Sequence, residues 1–106
     1  MRALFRMTAI VALASAALCA SAEDAASIYK TKCVMCHGAA GDANTPAGKA
    51  LKVPSFSSEE AVKQSDTALL EIAKNGKGKM PAWHDKLSED QIKGLVAYIR
   101  NMQKKS

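Results

Sequence analysis

The chain reads as an all-α domain of four or five short helices packed around something besides its own side chains. Apolar residues return at spacings of three and four in runs opened by serines, the mark of amphipathic helices with N-caps. Nowhere does the strict apolar/polar alternation of a half-buried strand appear. Beyond residue 22 the aromatics are Tyr29, Phe56, Trp83 and Tyr98. That is a thin supply in a size range where a bare apolar core gives about 3–5 kcal/mol, so a cofactor or cross-link is expected to complete the core.

The N-terminal stretch "MRALFRMTAIVALASAALCASA", residues 1–22, places Arg2 and Arg6 before an apolar run from about Met7 to Leu18 and ends in Ala20-Ser21-Ala22. Charged head, short apolar core and A-x-A site are the order of a secretory signal. The apolar run is shorter than the roughly 20 residues of a membrane span. Leu18 is bulky where a lipid-attachment site at Cys19 would want a small residue. The expectation is cleavage before Glu23, a domain over 23–106, a periplasmic location and no stable membrane insertion. Of the fifteen Lys and Arg, removing Arg2 and Arg6 leaves thirteen against ten acids, a charge of +3 over 84 residues.

From about Asp24 to Val34, Ala25, Ile28, Tyr29 and Lys32-Cys33 recur at helical spacing, a helix running into "KCVMCHG", residues 32–38. Residues 38–56 are rich in Gly, Pro and Asn and predict a loop. Ser57 with Glu60 predicts a capping box for a helix of one or two turns. Ser65 caps "DTALLEIAKN", whose Leu69, Leu70, Ile72 and Ala73 form the inner stripe, and Gly76 marks its stop. Ser88 with Gln91 opens a last helix to about Gln103, with Ile92, Leu95, Val96, Ile99 and Met102 on one face.

Once Cys19 is removed, Cys33 and Cys36 are the only thiols of an exported chain, and there thiols are paired, bound or capped. Structural zinc wants four ligands, and the chain offers Cys33, Cys36, His37 and a distant His84. A redox dithiol would sit at the head of a helix in a βαβ setting, for which there is no pattern. C-x-x-C-H is the attachment signature of c-type haem: two thiols on one helical turn reach the two vinyl groups, and His37 comes under the iron. A second axial ligand belongs in a loop downstream. "KNGKGKMPAWH", residues 74–84, offers Met80 between Gly residues and Pro81, which limits the loop's deformation. Met35 lies inside the motif, and Met102 suits the last helix. His84 competes with Met80 and would give a bis-His iron.

The helix into "CVMCH", the methionine loop "GKMPAW" and the closing helix "DQIKGLVAYIRNM" together resemble a class I c-type cytochrome of the small, soluble bacterial monohaem kind, over about Asp24 to Met102. The resemblance implies a cytochrome c-like fold wrapped around one haem c, with the first and last helices crossing where Ala25 and Tyr29 meet Leu95 and Tyr98. It also implies a proline carbonyl, here Pro46, that accepts the proximal imidazole N–H, and a Trp83 that packs on the haem or donates to a propionate.

With both axial positions filled, substrate chemistry is disfavoured and one-electron carriage is expected, not catalysis. The alternatives are a subunit docked to an oxidase or dehydrogenase, and a haem enzyme or gas sensor with a labile Met80. Lys30, Lys32, Lys74, Lys77, Lys79 and Lys86 border the two haem segments, which predicts redox partners with an acidic docking patch and places Lys77 and Lys79 in the contact. Two haem propionates would cut the net charge to about +1, so any steering acts locally, within ~8 Å at physiological salt. The lysines are scattered among acids and the aromatics are few, which argues against nucleic acid.

Overall fold

Residues 24 to 105 are described by the computed structural model, and the expected signal segment lies outside the described residues. The first helix, α1, occupies residues 24–37, with an α-helical start, a π-helical turn Tyr29–Cys33 and α-helical Val34–His37. A π-turn inserts one residue, so the last turn is rotated by about 100° from the register of the first. The helix outlasts the expected end at Val34. It stops at Gly38, whose φ of 80° suits a residue without a Cβ.

The expected loop at 38–56 contains a short helix, α2, Pro46–Ala50. Thr45 Oγ1 caps it by accepting from Gly48 N at 2.9 Å, with Pro46 at the first helical position. Helix α3, Glu59–Lys63, begins one residue later than the expected box. Ser58, not Ser57, is the cap and accepts from Ala61 N at 3.2 Å. The Ser57 hydroxyl is turned instead to Ser55 Oγ, 2.9 Å away.

Helix α4, Asp66–Asn75, is capped as expected by Ser65, which accepts from Ala68 N at 3.1 Å, and ends at Gly76, φ 77°. Helix α5, Glu89–Lys105, opens on the reciprocal box: Gln91 N donates to Ser88 Oγ at 3.1 Å, and Ser88 N donates to Gln91 Oε1 at 2.8 Å. Among the described residues the extended structure is one isolated bridge, Lys77 with Met80.

Ile28, Tyr29, Leu87, Ile92 and Leu95 form the buried cluster, ringed by Cys33, Val34, Phe56, Leu70, Ala73, Trp83, Tyr98 and Met102. The α1–α5 crossing lies where the resemblance puts it. Tyr29 and Tyr98 rings sit 5.1 Å apart, beside buried Ala25 and Leu95. At the opposite end of α5, Arg100 donates to Asp66 Oδ1 at 2.8 Å, to Gln103 Oε1 at 3.0 Å and to the Gln64 carbonyl, tying α5 to the α3–α4 corner.

Ile92 is 1% exposed, so Ile92→Ala deletes three carbons from the middle of the buried cluster. A loss of about 2–5 kcal/mol is expected, read as a lower denaturant midpoint with an unchanged slope.

Candidate functional site

The final turn of α1 carries Cys33, Cys36 and His37 together. Both cysteines are half-buried free thiols. Burial pushes the Cys33 thiol up, against the pull of Lys32, so it is protonated at neutral pH.

The chain after His37 is hooked back under this turn. Tyr29 OH donates to the Gly38 carbonyl at 2.6 Å, inside the core. Ala43 N donates to the His37 carbonyl at 2.7 Å, with Ala43 at φ 56°. That left-handed alanine is held by the bonds around it. Thr45 Oγ1 reaches the Cys36 carbonyl at 3.3 Å. A Cβ on Gly48 would lie 2.4 Å from that same oxygen, so α2 packs backbone-to-backbone against the attachment turn. Tyr29, Thr45 and Gly48 as supports of this turn were missed in the sequence. Thr-Pro as cap and first helical residue was the local signal for α2.

His37 is held neutral, since burial pushes its imidazole below the usual value. Its ring stacks on Phe56 with centroids 4.5 Å apart and planes 15° from parallel. Its Nδ1 is buried without a hydrogen-bond partner. Pro46 sits exposed at the start of α2, and the bond from His37 to its carbonyl is not made in this structure.

Met80 stands half-buried at the end of a tight hairpin. Lys77 N donates to the Met80 carbonyl at 3.2 Å, and Met80 N to the Lys77 carbonyl at 3.0 Å, around Gly78 at φ 58°. A Cβ on Gly76 would lie 2.6 Å from the Met80 carbonyl, so glycine is needed for the close approach. Downstream of exposed Pro81, Trp83 N and His84 N donate to the Ala73 and Lys74 carbonyls, both at 3.1 Å, clamping the segment to the end of α4.

Trp83 packs on the core. Lys32 Nζ lies 5.5 Å and Lys86 Nζ 5.2 Å from its ring centroid. The Lys32 contact joins the methionine segment to the residue before Cys33. His84 is exposed, with Nδ1 2.9 Å from Asp85 Oδ1. Lys74 is drawn toward Glu89 at 3.7 Å, whereas Lys77 and Lys79 are exposed and have no ion-pair partner among the described residues.

Two thiols and a neutral, half-buried imidazole on one turn, with a thioether on a braced hairpin, are a donor set that fits a c-type haem. Among the described residues there is no group of three or more His, Cys, Asp or Glu able to hold a bare metal ion. Nor is any described helix long and apolar enough to cross a membrane.

Comparison with known proteins agrees with this chemistry. Residues 20–99 match the family model of cytochrome c oxidase, cbb3-type, subunit III. Cytochrome c6 of Synechococcus sp. is 32% identical over 104 residues, covering 98% of this chain and 90% of that protein. Cytochrome c6 of Bryopsis maxima is 37% identical over 82 residues, 73% of this chain and 86% of the relative. The cbb3-type oxidase subunit CcoP of Azospirillum brasilense is 31% identical over 85 residues, 78% of this chain but 29% of that longer protein. The solved KustC0563 c-type cytochrome superposes with a TM-score of 0.69 at 29% identity, covering 76% of this chain and 98% of that one.

Proposed function

The chain belongs to the class I c-type cytochromes, and from that premise we propose that it is a periplasmic one-electron carrier with its haem linked through Cys33 and Cys36 and the iron held between His37 and Met80. The observation that carries the reading is the donor set on the last turn of α1, two half-buried free thiols beside a neutral imidazole.

When bound, the haem supplies one reversible electron. The protein supplies the rest. His37 offers a neutral nitrogen donor. Met80 offers a soft sulfur, which favours the ferrous state over a second imidazole. The clamps from Trp83 and His84 to α4, with Pro81 between them and Met80, restrain the hairpin against ligand loss. With His37 and Met80 both committed to holding the iron, no donor position would be left for a substrate, so the bound group would carry electrons and no bond-making step. Residues 1–22 act as the signal that takes the chain across the inner membrane.

Reductive titration of the purified holoprotein tests this. It should take up one electron per chain and, once reduced, bind carbon monoxide negligibly. Rapid carbon monoxide binding would instead favour a haem enzyme or gas sensor. The matches to cbb3-type oxidase subunits favour one second reading, a domain working as a permanent oxidase partner. Size-exclusion of a native extract separates the two, because the carrier elutes near 10 kDa and the subunit with its complex.

Its partners are redox proteins of a respiratory or photosynthetic chain, and we assign them an acidic patch facing Lys77 and Lys79 on the Met80 hairpin. Steering by such a patch acts within a Debye length, ~8 Å at physiological salt. Reversing both lysines to glutamate is expected to slow the second-order rate with the partner about tenfold at low salt, with the potential nearly unchanged. Stopped-flow rates across an ionic-strength series check it, and a rate for the native protein that stays flat or rises with salt would remove the basic contact.

A further inference from the structure

A histidine bound to a metal usually donates its other ring N–H to an acceptor, and that bond sets the orientation of the ring. His37 lacks this device, because its Nδ1 is buried with no hydrogen-bond partner. The contact that does restrain the imidazole is the face of Phe56, stacked at 4.5 Å and 15°. Such a stack opposes rotation, since turning the imidazole about its bond to Cβ drives one ring edge into the aromatic face and opens a gap at the other.

Phe56 is itself held by two segments of the chain. Its N–H donates to the Gly41 carbonyl at 2.8 Å, and its own carbonyl accepts from Gln103 Nε2 at 2.8 Å, far along α5. Its ring lies against the bare backbone of Gly41, where a Cβ would stand 2.7 Å from Phe56 Cδ2. The loop after the attachment turn and the last helix therefore meet on this one residue.

We propose that Phe56 is the positioning residue of the proximal ligand, holding the plane of the His37 imidazole by stacking where a hydrogen bond to Nδ1 would ordinarily do so. The proposal rests on His37 being the proximal ligand. In the oxidised holoprotein the spread of haem methyl NMR shifts would depend on the orientations of both iron ligands, so with Met80 unchanged a new methyl pattern would report a turn of the imidazole.

The experiment uses the holoprotein. In the reduced wild type, His37 ring protons carrying the large upfield shifts of an axial ligand should show nuclear Overhauser contacts to the Phe56 ring. Unshifted His37 protons would mean that the ligand assignment is wrong. Shifted protons without the Phe56 contacts, or with an Nδ1–H strongly protected from exchange by a hydrogen bond, would overturn the proposal while leaving the ligand in place. In the oxidised protein, Phe56→Leu keeps apolar bulk but loses the flat face, and the methyl shifts are expected to change in spread or order. Phe56→Tyr, which keeps the ring, should restore the wild-type pattern. Methyl shifts identical in Phe56→Leu and wild type would equally overturn it. The wild-type contacts decide the matter even where a variant folds poorly.

Discussion

After denaturation and extraction with acidified organic solvent, the haem is expected to stay with the polypeptide, and its loss to the solvent would sink the assignment of Cys33 and Cys36 as thioether donors. The attachment turn makes the expectation specific. Both thiols stand free on one turn, half-buried, with the following chain tied beneath them by Ala43, Thr45 and Gly48. Cys33→Ser or Cys36→Ser should leave at most one thioether and most of the protein without haem. His37→Ala should remove the proximal ligand as well. The effect reaches beyond the site, because a chain with so few aromatics depends on the bound group to complete its core, and anything that binds only the folded state stabilises it. Haem-stained gels of the denatured variants, read beside their thermal midpoints, measure both consequences.

Met80→Ala is expected to have the next largest effect. Removing the thioether opens a coordination position, so the reduced variant should bind carbon monoxide and the oxidised variant cyanide. Its potential should fall by on the order of 0.1–0.3 V, part of the about 0.8 V that axial ligation can span. Met80→His should also lower the potential but keep carbon monoxide out, since an imidazole fills the position. His84 supplies the control. It is exposed and paired with Asp85, so His84→Ala should leave spectrum and potential nearly unchanged. If His84→Ala collapsed both while Met80→Ala did nothing, the distal ligand would be His84 and the iron bis-His.

Features set by chemistry within one turn of the chain were legible in the sequence. The caps at Ser65 and Ser88, the reciprocal Gln91 bond and the stop at Gly76 each join groups one helical turn apart or less, as does the C-x-x-C-H spacing itself. Where a second local partner competed, the reading slipped. Ser57 and Ser58 are equivalent as letters, and only the turn that pairs Ser57 with Ser55 makes Ser58 the cap.

Tertiary structure decided what depends on distant partners. The seat of Gly48 under Cys36 and the bond from Tyr29 to Gly38 join groups more than two helical turns apart in sequence, beyond the reach of local spacing. Phe56 is the sharpest case. In sequence it is one apolar residue in a loop, nineteen positions from His37. It meets the imidazole because Gly41 and Gln103 grip its backbone from opposite sides, and no periodicity encodes a position set by two long-range bonds. So the sequence by itself determined which donors are present and in what order along the helices. Their orientation came only with the fold, since a ring's angle is settled by the surfaces on either side of it, and those surfaces come from separate parts of the chain.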